Sequence, residues 1–175
     1  LSEELCSFLG SIVYGEGKET IERVIVHTAI EKHKTVSIAE SCTGGLIGHR
    51  ITEIPGSSSM FKGGLVVYSN AAKFMVLGVK QTCIDSYGAV STETAEQMAT
   101  NVMEKFGTDY GLSVTGIAGP GGGTNEKPVG LVYIGLADSS KTDVREFKFG
   151  TDRKRNKVRI SQEALNWLRI TLQND

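Results

Sequence analysis

The sequence predicts an α/β fold: a three-layer α/β/α sandwich with a mixed, largely parallel sheet, in a single domain. Three observations carry that expectation. Short apolar runs at 35–39, 64–69 and 110–117 alternate with longer segments whose apolar residues recur at three- and four-residue spacing. Two further runs, 129–137 and 143–149, follow each other closely and read as an antiparallel hairpin, which makes the sheet mixed. At 175 residues the chain is long enough for one substantial core and short for two.

Residues 1–18 carry Leu5, Phe8, Leu9, Ile12 and Val13 ahead of the break Tyr14-Gly15-Glu16-Gly17. They are expected to form a short helix and turn, an N-terminal extension left over from a preceding domain, with the domain proper at 19–175. The chain opens on Leu1 rather than Met, in keeping with a piece of a longer protein. The segment 19–33 is a helix with Ile21, Val24, Ile25 and Thr28 on one face. The strand 35–40 comes next, then a helix from Thr43 to about Thr52, then a loop at 54–59. The strand 64–69 leads into a helix that has Ala71, Ala72 and Lys73 in its first turns and stops near Gly78. Helix 92–106 is the clearest in the chain: Thr92 can cap it, and Ala95, Met98, Ala99, Val102, Met103 and Phe106 line one side. A strand at 110–117, a glycine loop at 119–124 and the hairpin follow. A last helix at about 154–172 buries Ile160, Ala164, Trp167 and Leu168.

Composition narrows the function. Hydrophobic residues at 39% and charged residues at 22% describe an ordinary globular chain. A net charge of −1 argues against a nucleic-acid partner, which needs a concentrated basic face. The cluster Arg153-Lys154-Arg155, with Lys157 and Arg159 behind it, reads as a solvated helix start. Three cysteines without a CxxC pair indicate neither a disulfide framework nor a zinc site, which points to a reducing compartment and the cytoplasm. No apolar run approaches the roughly 18 residues of a membrane span.

The stretch Ala39-Glu40-Ser41-Cys42-Thr43-Gly44-Gly45 places a hydroxyl where a helix is about to start. Main-chain N–H groups at such a start, with the helix dipole, favour an anion or a developing oxyanion. Ser41 is a nucleophile candidate that needs a base. His27 and His49 lie within predicted helices and His33 near a helix end, so a Ser-His-Asp arrangement lacks its imidazole. Lys73 is the alternative base: one turn into a helix beside an apolar strand end, it would be desolvated and its pKa lowered. Tyr68 would relay or hold the proton and align Lys73. Cys42 is either a second nucleophile candidate or a small core residue. Glu40 would bind a metal or help position Lys73, but no other carboxylate stands at ligand spacing, so no metal site is expected. The run Ser113 to Gly123 would wrap a phosphate or ribose, or form a mobile surface turn. It lacks the Gly-Lys-Ser/Thr ending of a Walker loop, and the GxGxxG spacing fails at Thr124.

Six ordered motifs then resemble a known family: Ala39 to Gly45, Ile54-Pro55-Gly56-Ser57-Ser58, Tyr68-Ser69-Asn70-Ala71-Ala72-Lys73, Gly88-Ala89-Val90-Ser91, Val114 to Pro120 and Lys127-Pro128-Val129-Gly130. Over roughly 20–172 the chain is similar to the C-terminal domain of the CinA family, the nicotinamide mononucleotide (NMN) deamidase module. The resemblance implies hydrolysis of the NMN carboxamide to nicotinate mononucleotide and ammonia, with no metal and no cofactor. It implies Ser41, Tyr68 and Lys73 as the catalytic residues. The substrate-binding set expected with them is Cys42, Thr43, Gly44 and Gly45 of the turn, Thr115 and Gly116, Gly119 and Gly121 of the glycine loop, and Arg153. Where the family commonly has Gly-Asp-Arg before the last helix, this chain has Gly150-Thr151-Asp152-Arg153, with an extra threonine. The expected partner is a small-molecule nucleotide, with no nucleic acid or membrane, and the chain is expected to be a homo-oligomer. A non-catalytic nucleotide-binding or interaction module of a two-domain competence- or damage-inducible protein is the alternative, and a different amidase or esterase using the same residues is another.

Overall fold

Ser37 and Ser113, buried hydroxyls on neighbouring strands, show how the sheet is clad: they donate to the carbonyls of Val102 (3.0 Å) and Ala95 (2.6 Å) on one long helix. That helix lies close because Gly111 and Gly135 face it. A methyl group on Gly111 would stand 2.1 Å from the Ala99 carbonyl oxygen, and one on Gly135 2.7 Å from that of Ala95.

The computed structural model describes residues 8–10, 13–15 and 17–175. Its elements are α1 (Ile21–Glu31), β1 (Val36–Glu40), α2 (Leu46–Thr52), β2 (Phe61–Val66), α3 (Asn70–Met75), α4 (Gln81–Tyr87), α5 (Thr92–Phe106), β3 (Tyr110–Gly116), β4 (Leu131–Ala137), β5 (Thr142–Lys148) and α6 (Arg153–Asn174). Among the described residues the sheet has five strands in the order β2-β1-β3-β4-β5. β1 pairs in parallel with β2 and β3, whereas β3–β4 and β4–β5 are antiparallel, so β4 alone of these strands runs against the rest. The β4–β5 turn is closed by Asp138, whose carboxylate accepts from the N–H groups of Ser140 (2.7 Å) and Lys141 (3.0 Å).

The strand period of two sorts the side chains into two cores. Val36, Ile38, Leu112, Val114, Val132 and Ile134 pack with α1, α2 and α6 on one face. Ala39, Val67, Leu77, Val79, Ile84, Met98 and Val102 pack with α3, α4 and α5 on the other. This is the expected three-layer sandwich. The carboxyl ends of β1, β2 and β3 meet the N-termini of α2, α3 and α6 at one end of the sheet, where α/β folds bind ligands.

Local boundaries differ from the sequence reading for identifiable reasons. α2 starts at Leu46 rather than Thr43, because residues 41–45 form a turn and Gly45 sits in the left-handed region (φ 92°). Ser91, not Thr92, caps α5: its hydroxyl accepts from the Thr94 N–H at 3.2 Å. β2 begins at Phe61, ahead of the two glycines that dilute its strand signal, and leaves Tyr68 beyond its end. α4 was not anticipated, since it buries only Cys83 and Ile84. The expected N-terminal helix falls largely on residues outside those described; Tyr14 packs against the first core, with the Arg169 guanidinium 5.8 Å from its ring. Among the described residues no helix is long and apolar enough to cross a membrane.

Candidate active site

Ser41 is fixed where β1 ends. Its N–H donates to the Val114 carbonyl (3.0 Å), continuing the β1–β3 ladder, and its carbonyl accepts from the Gly44 N–H (3.0 Å), closing a β-turn. The helix start beyond is not open to an anion, contrary to expectation. The Glu40 carboxylate fills it, accepting from the N–H groups of Gly45 (3.0 Å), Ile47 (3.2 Å) and Gly48 (2.8 Å). A carboxylate at this point satisfies orphan donors and complements the dipole. Glu40 therefore neither touches Lys73 nor is available to a metal. Among the described residues no group of three or more His, Cys, Asp or Glu is gathered. Of the turn's donors, Gly44 and Gly45 have acceptors within the protein; the N–H groups of Cys42 and Thr43 take none among the described residues.

Lys73 comes to Ser41 from the opposite side. Ser69 caps α3, accepting from the Ala72 N–H at 3.0 Å, and so places Lys73 in the first turn, facing the sheet. The lysine is 2% exposed. Its Nζ lies 2.9 Å from Ser41 Oγ and 3.0 Å from the Val67 carbonyl oxygen. Both partners are neutral. Burial without a compensating carboxylate disfavours the ammonium and holds the pKa of Lys73 below the ordinary 10.5. In the neutral form the amine keeps two N–H donors and gains a lone pair that accepts the serine proton.

The other expected residues divide. Tyr68 is 57% exposed, and its hydroxyl accepts from Arg153 Nη2 (2.7 Å), while Arg153 Nη1 donates to the Gly119 carbonyl (3.1 Å). The phenol is thus bonded to Arg153 and not to Lys73. Arg153 does reach the site despite the extra threonine before it. Thr115 lies beside Ser41 on β3, and its hydroxyl donates to the Ala89 carbonyl (2.6 Å), which holds the 88–91 turn. Gly116 is packed: a methyl there would meet Val132 and the Leu131 carbonyl. Gly119 is buried, while Gly121 is exposed with open space around it. Cys42 points into the core at 5% exposure, and burial pushes its thiol up to about 12, which removes it as a nucleophile. Thr43 is fully buried, with its hydroxyl lacking a partner. His27, His33 and His49 are all exposed, and Ser41 takes its side-chain hydrogen bond from Lys73.

Two supporting residues escaped the sequence reading. Asn156 is buried, and its amide donates to the carbonyls of Ala118 (2.9 Å) and Gly150 (2.7 Å), tying the glycine loop to α6. Lys127 donates to the carbonyls of Tyr87 and Val90 (2.8 Å), pinning the turn before α5. The available signal was a lone asparagine on the apolar stripe of the last helix, in phase with Ile160.

The chain matches the family described as CinA, the CinA C-terminal domain, over residues 18–172. It is 49% identical over 172 residues to a CinA-like protein of Dictyoglomus thermophilum, covering 98% of this chain and 42% of the relative. It is 46% identical over 173 residues to a protein of Clostridium perfringens named competence-damage inducible, covering 99% and 42%. The chain thus spans about two fifths of the length of the curated relatives it matches. Among solved structures, the competence/damage inducible protein CihA of Agrobacterium tumefaciens is 38% identical with a TM-score of 0.83, covering 91% of this chain and 99% of the other. The competence damage-inducible protein A of Klebsiella pneumoniae is 25% identical with a TM-score of 0.84, covering 87% and 95%.

Proposed function

The chain belongs to the CinA family, and we propose that it is an amidohydrolase that uses Ser41 and Lys73 to convert nicotinamide mononucleotide into nicotinate mononucleotide and ammonia. The observation that carries the reading is the 2.9 Å contact between a serine oxygen and a buried lysine amine with no carboxylate partner. The substrate comes from the family resemblance; the chemistry comes from the pair.

Neutral Lys73 takes the Ser41 proton as Oγ attacks the carboxamide carbon. The oxyanion accepts from the N–H groups of Cys42 and Thr43, the donors of the turn left without a protein acceptor; one such donor can be worth about 3 kcal/mol. As the intermediate collapses, the C–N bond breaks and the Lys73 ammonium returns its proton to the departing nitrogen, which leaves as ammonia. A water molecule then attacks the nicotinoyl ester. Lys73 receives one of its protons and passes it to Ser41 Oγ as the carboxylic acid is released, which then ionises to the nicotinate by giving the other proton to solvent. Tyr68 and Arg153, bonded to each other over the crevice, line its mouth on this reading rather than moving the proton.

Ammonia release from NMN by the native chain and by Ser41→Ala tests the assignment. Turnover in the native chain, abolished in the variant, is expected. Equal rates rule out Ser41 as the nucleophile. NMN binding in calorimetry with no ammonia formed leaves a nucleotide-binding module in place of an enzyme.

A further inference from the structure

We infer that Lys157 is a ligand of the substrate's phosphate and so makes the site prefer a nucleotide to the nucleoside that lacks the phosphate; this rests on the amidohydrolase reading above. The starting point is an electrostatic anomaly. α6 opens on Arg153, Lys154, Arg155 and Lys157, and its first turn holds no acidic residue. Cations at that end oppose the helix dipole. The only carboxylate at this start is the cap, Asp152, whose oxygen accepts from the Arg155 main-chain N–H (2.9 Å). None of the four cations is paired with a carboxylate among the described residues. The sequence alone reads this cluster as a solvated face. The structure turns part of it inward.

Lys157 is only half exposed, and its ammonium overhangs the nucleophile's turn: a methyl group on Gly44 would stand 3.5 Å from its Nζ. Gly44 closes the β-turn that starts at Ser41, which keeps the two Cα atoms within about 7 Å. The cation therefore lies against the turn that carries Ser41, near enough for the phosphate of a mononucleotide whose amide sits on Ser41. The bond partners of Arg153, the Tyr68 hydroxyl and the Gly119 carbonyl, are neutral. Neither partner offsets the charge of the guanidinium. Gly44 carries no side chain toward the Lys157 ammonium. A phosphate seated there would accept from Lys157 Nζ and relieve the crowding of like charges at the start of α6.

The test is steady-state ammonia release by the 175-residue chain, by Lys157→Met and by Lys157→Arg, with NMN and with its dephosphorylated form, nicotinamide riboside. Lys157→Met is expected to raise KM for NMN roughly 10- to 100-fold, as a lost charge-assisted hydrogen bond does, with kcat unchanged. Its values for the riboside should not move, and Lys157→Arg should recover most of the loss. An unchanged KM for NMN, or equal losses on both substrates, overturns the inference. If the native chain forms no ammonia from either compound, the amidohydrolase reading fails by itself, and calorimetric titration with inorganic phosphate decides the anion site. Weaker phosphate binding by Lys157→Met upholds it; equal binding, or none by the native chain, overturns it.

Discussion

Replacing Lys73 by methionine separates its chemical role from its structural cost, because the two respond to pH in different ways. Met keeps most of the buried volume but removes the amine. Its contacts to Ser41 Oγ (2.9 Å) and the Val67 carbonyl (3.0 Å) are then lost, each worth about 1 kcal/mol net. Against that loss stands the burden of burying a basic group whose native pKa lies below 10.5. The sign follows from proton binding. Between the lowered native pKa and 10.5 the unfolded chain holds a proton on this lysine and the native chain does not, so native stability rises with pH. The slope from this one group approaches about 1.4 kcal/mol per pH unit. Below the native pKa both states are protonated and the full penalty is present; above 10.5 nothing further changes.

Urea unfolding of the native chain and of Lys73→Met, from neutrality to about pH 10, measures this directly. The variant is expected to lack that slope, so that its stability relative to the native chain falls steadily as the pH rises. Ammonia release from NMN should drop by at least roughly 10²- to 10⁴-fold, the contribution of a positioned base. In the native chain the rate should climb with pH on its acid side, as the lysine loses its proton. Parallel stability curves for the two proteins would refute the claim that Lys73 is held neutral by burial.

Three further outcomes are expected. Iodoacetamide at neutral pH should leave the native chain active and Cys42 unmodified by mass spectrometry, since this thiol is buried with its pKa pushed up to about 12; rapid alkylation of Cys42 contradicts that placement. Glu40→Gln turns an amide N–H₂ toward main-chain donors that now meet a carboxylate oxygen, and should destabilise the fold by about 1–3 kcal/mol in urea; an unchanged midpoint removes Glu40 as the cap of α2. Tyr68→Phe should leave the acid limb of the pH–rate profile where it is, because the phenol bonds Arg153 and not the amine; a displaced limb places Tyr68 in the proton path after all.

Much of this architecture was legible in the sequence, and the reasons are local. The alternation of apolar runs, the small-residue turn after β1 and the spacing of Ala95, Met98, Ala99 and Val102 are each encoded within a dozen residues. The convergence of Ser41 with Lys73 was also readable, since both follow strands whose carboxyl ends share one edge of the sheet. What stayed hidden depends on partners far along the chain. Tyr68 lies past the end of β2, so no strand period fixes its direction, and its partner Arg153 is 85 residues away. A hydroxyl at a strand end, such as that of Thr115, carries no sign that a carbonyl 26 residues earlier will accept from it. Lys157 looked like one more solvated cation until α6 was set against the Ser41 turn.

The lowered pKa of Lys73 finally depends on a single alternation in β1. Glu40 and Ser41 are adjacent, so a strand must send them to opposite faces. Glu40 goes to the α2 side, where three N–H groups hold its carboxylate; Ser41 goes to the α3 side, where it meets the amine. Shifting the register by one residue would set the carboxylate against Lys73 instead. An opposite charge at that distance raises a lysine's pKa and keeps it protonated, and a protonated lysine cannot take the serine's proton. The helix cap thus also keeps the Glu40 carboxylate away from the amine. The cap and the contact between Ser41 and Lys73 are consequences of the same pleat.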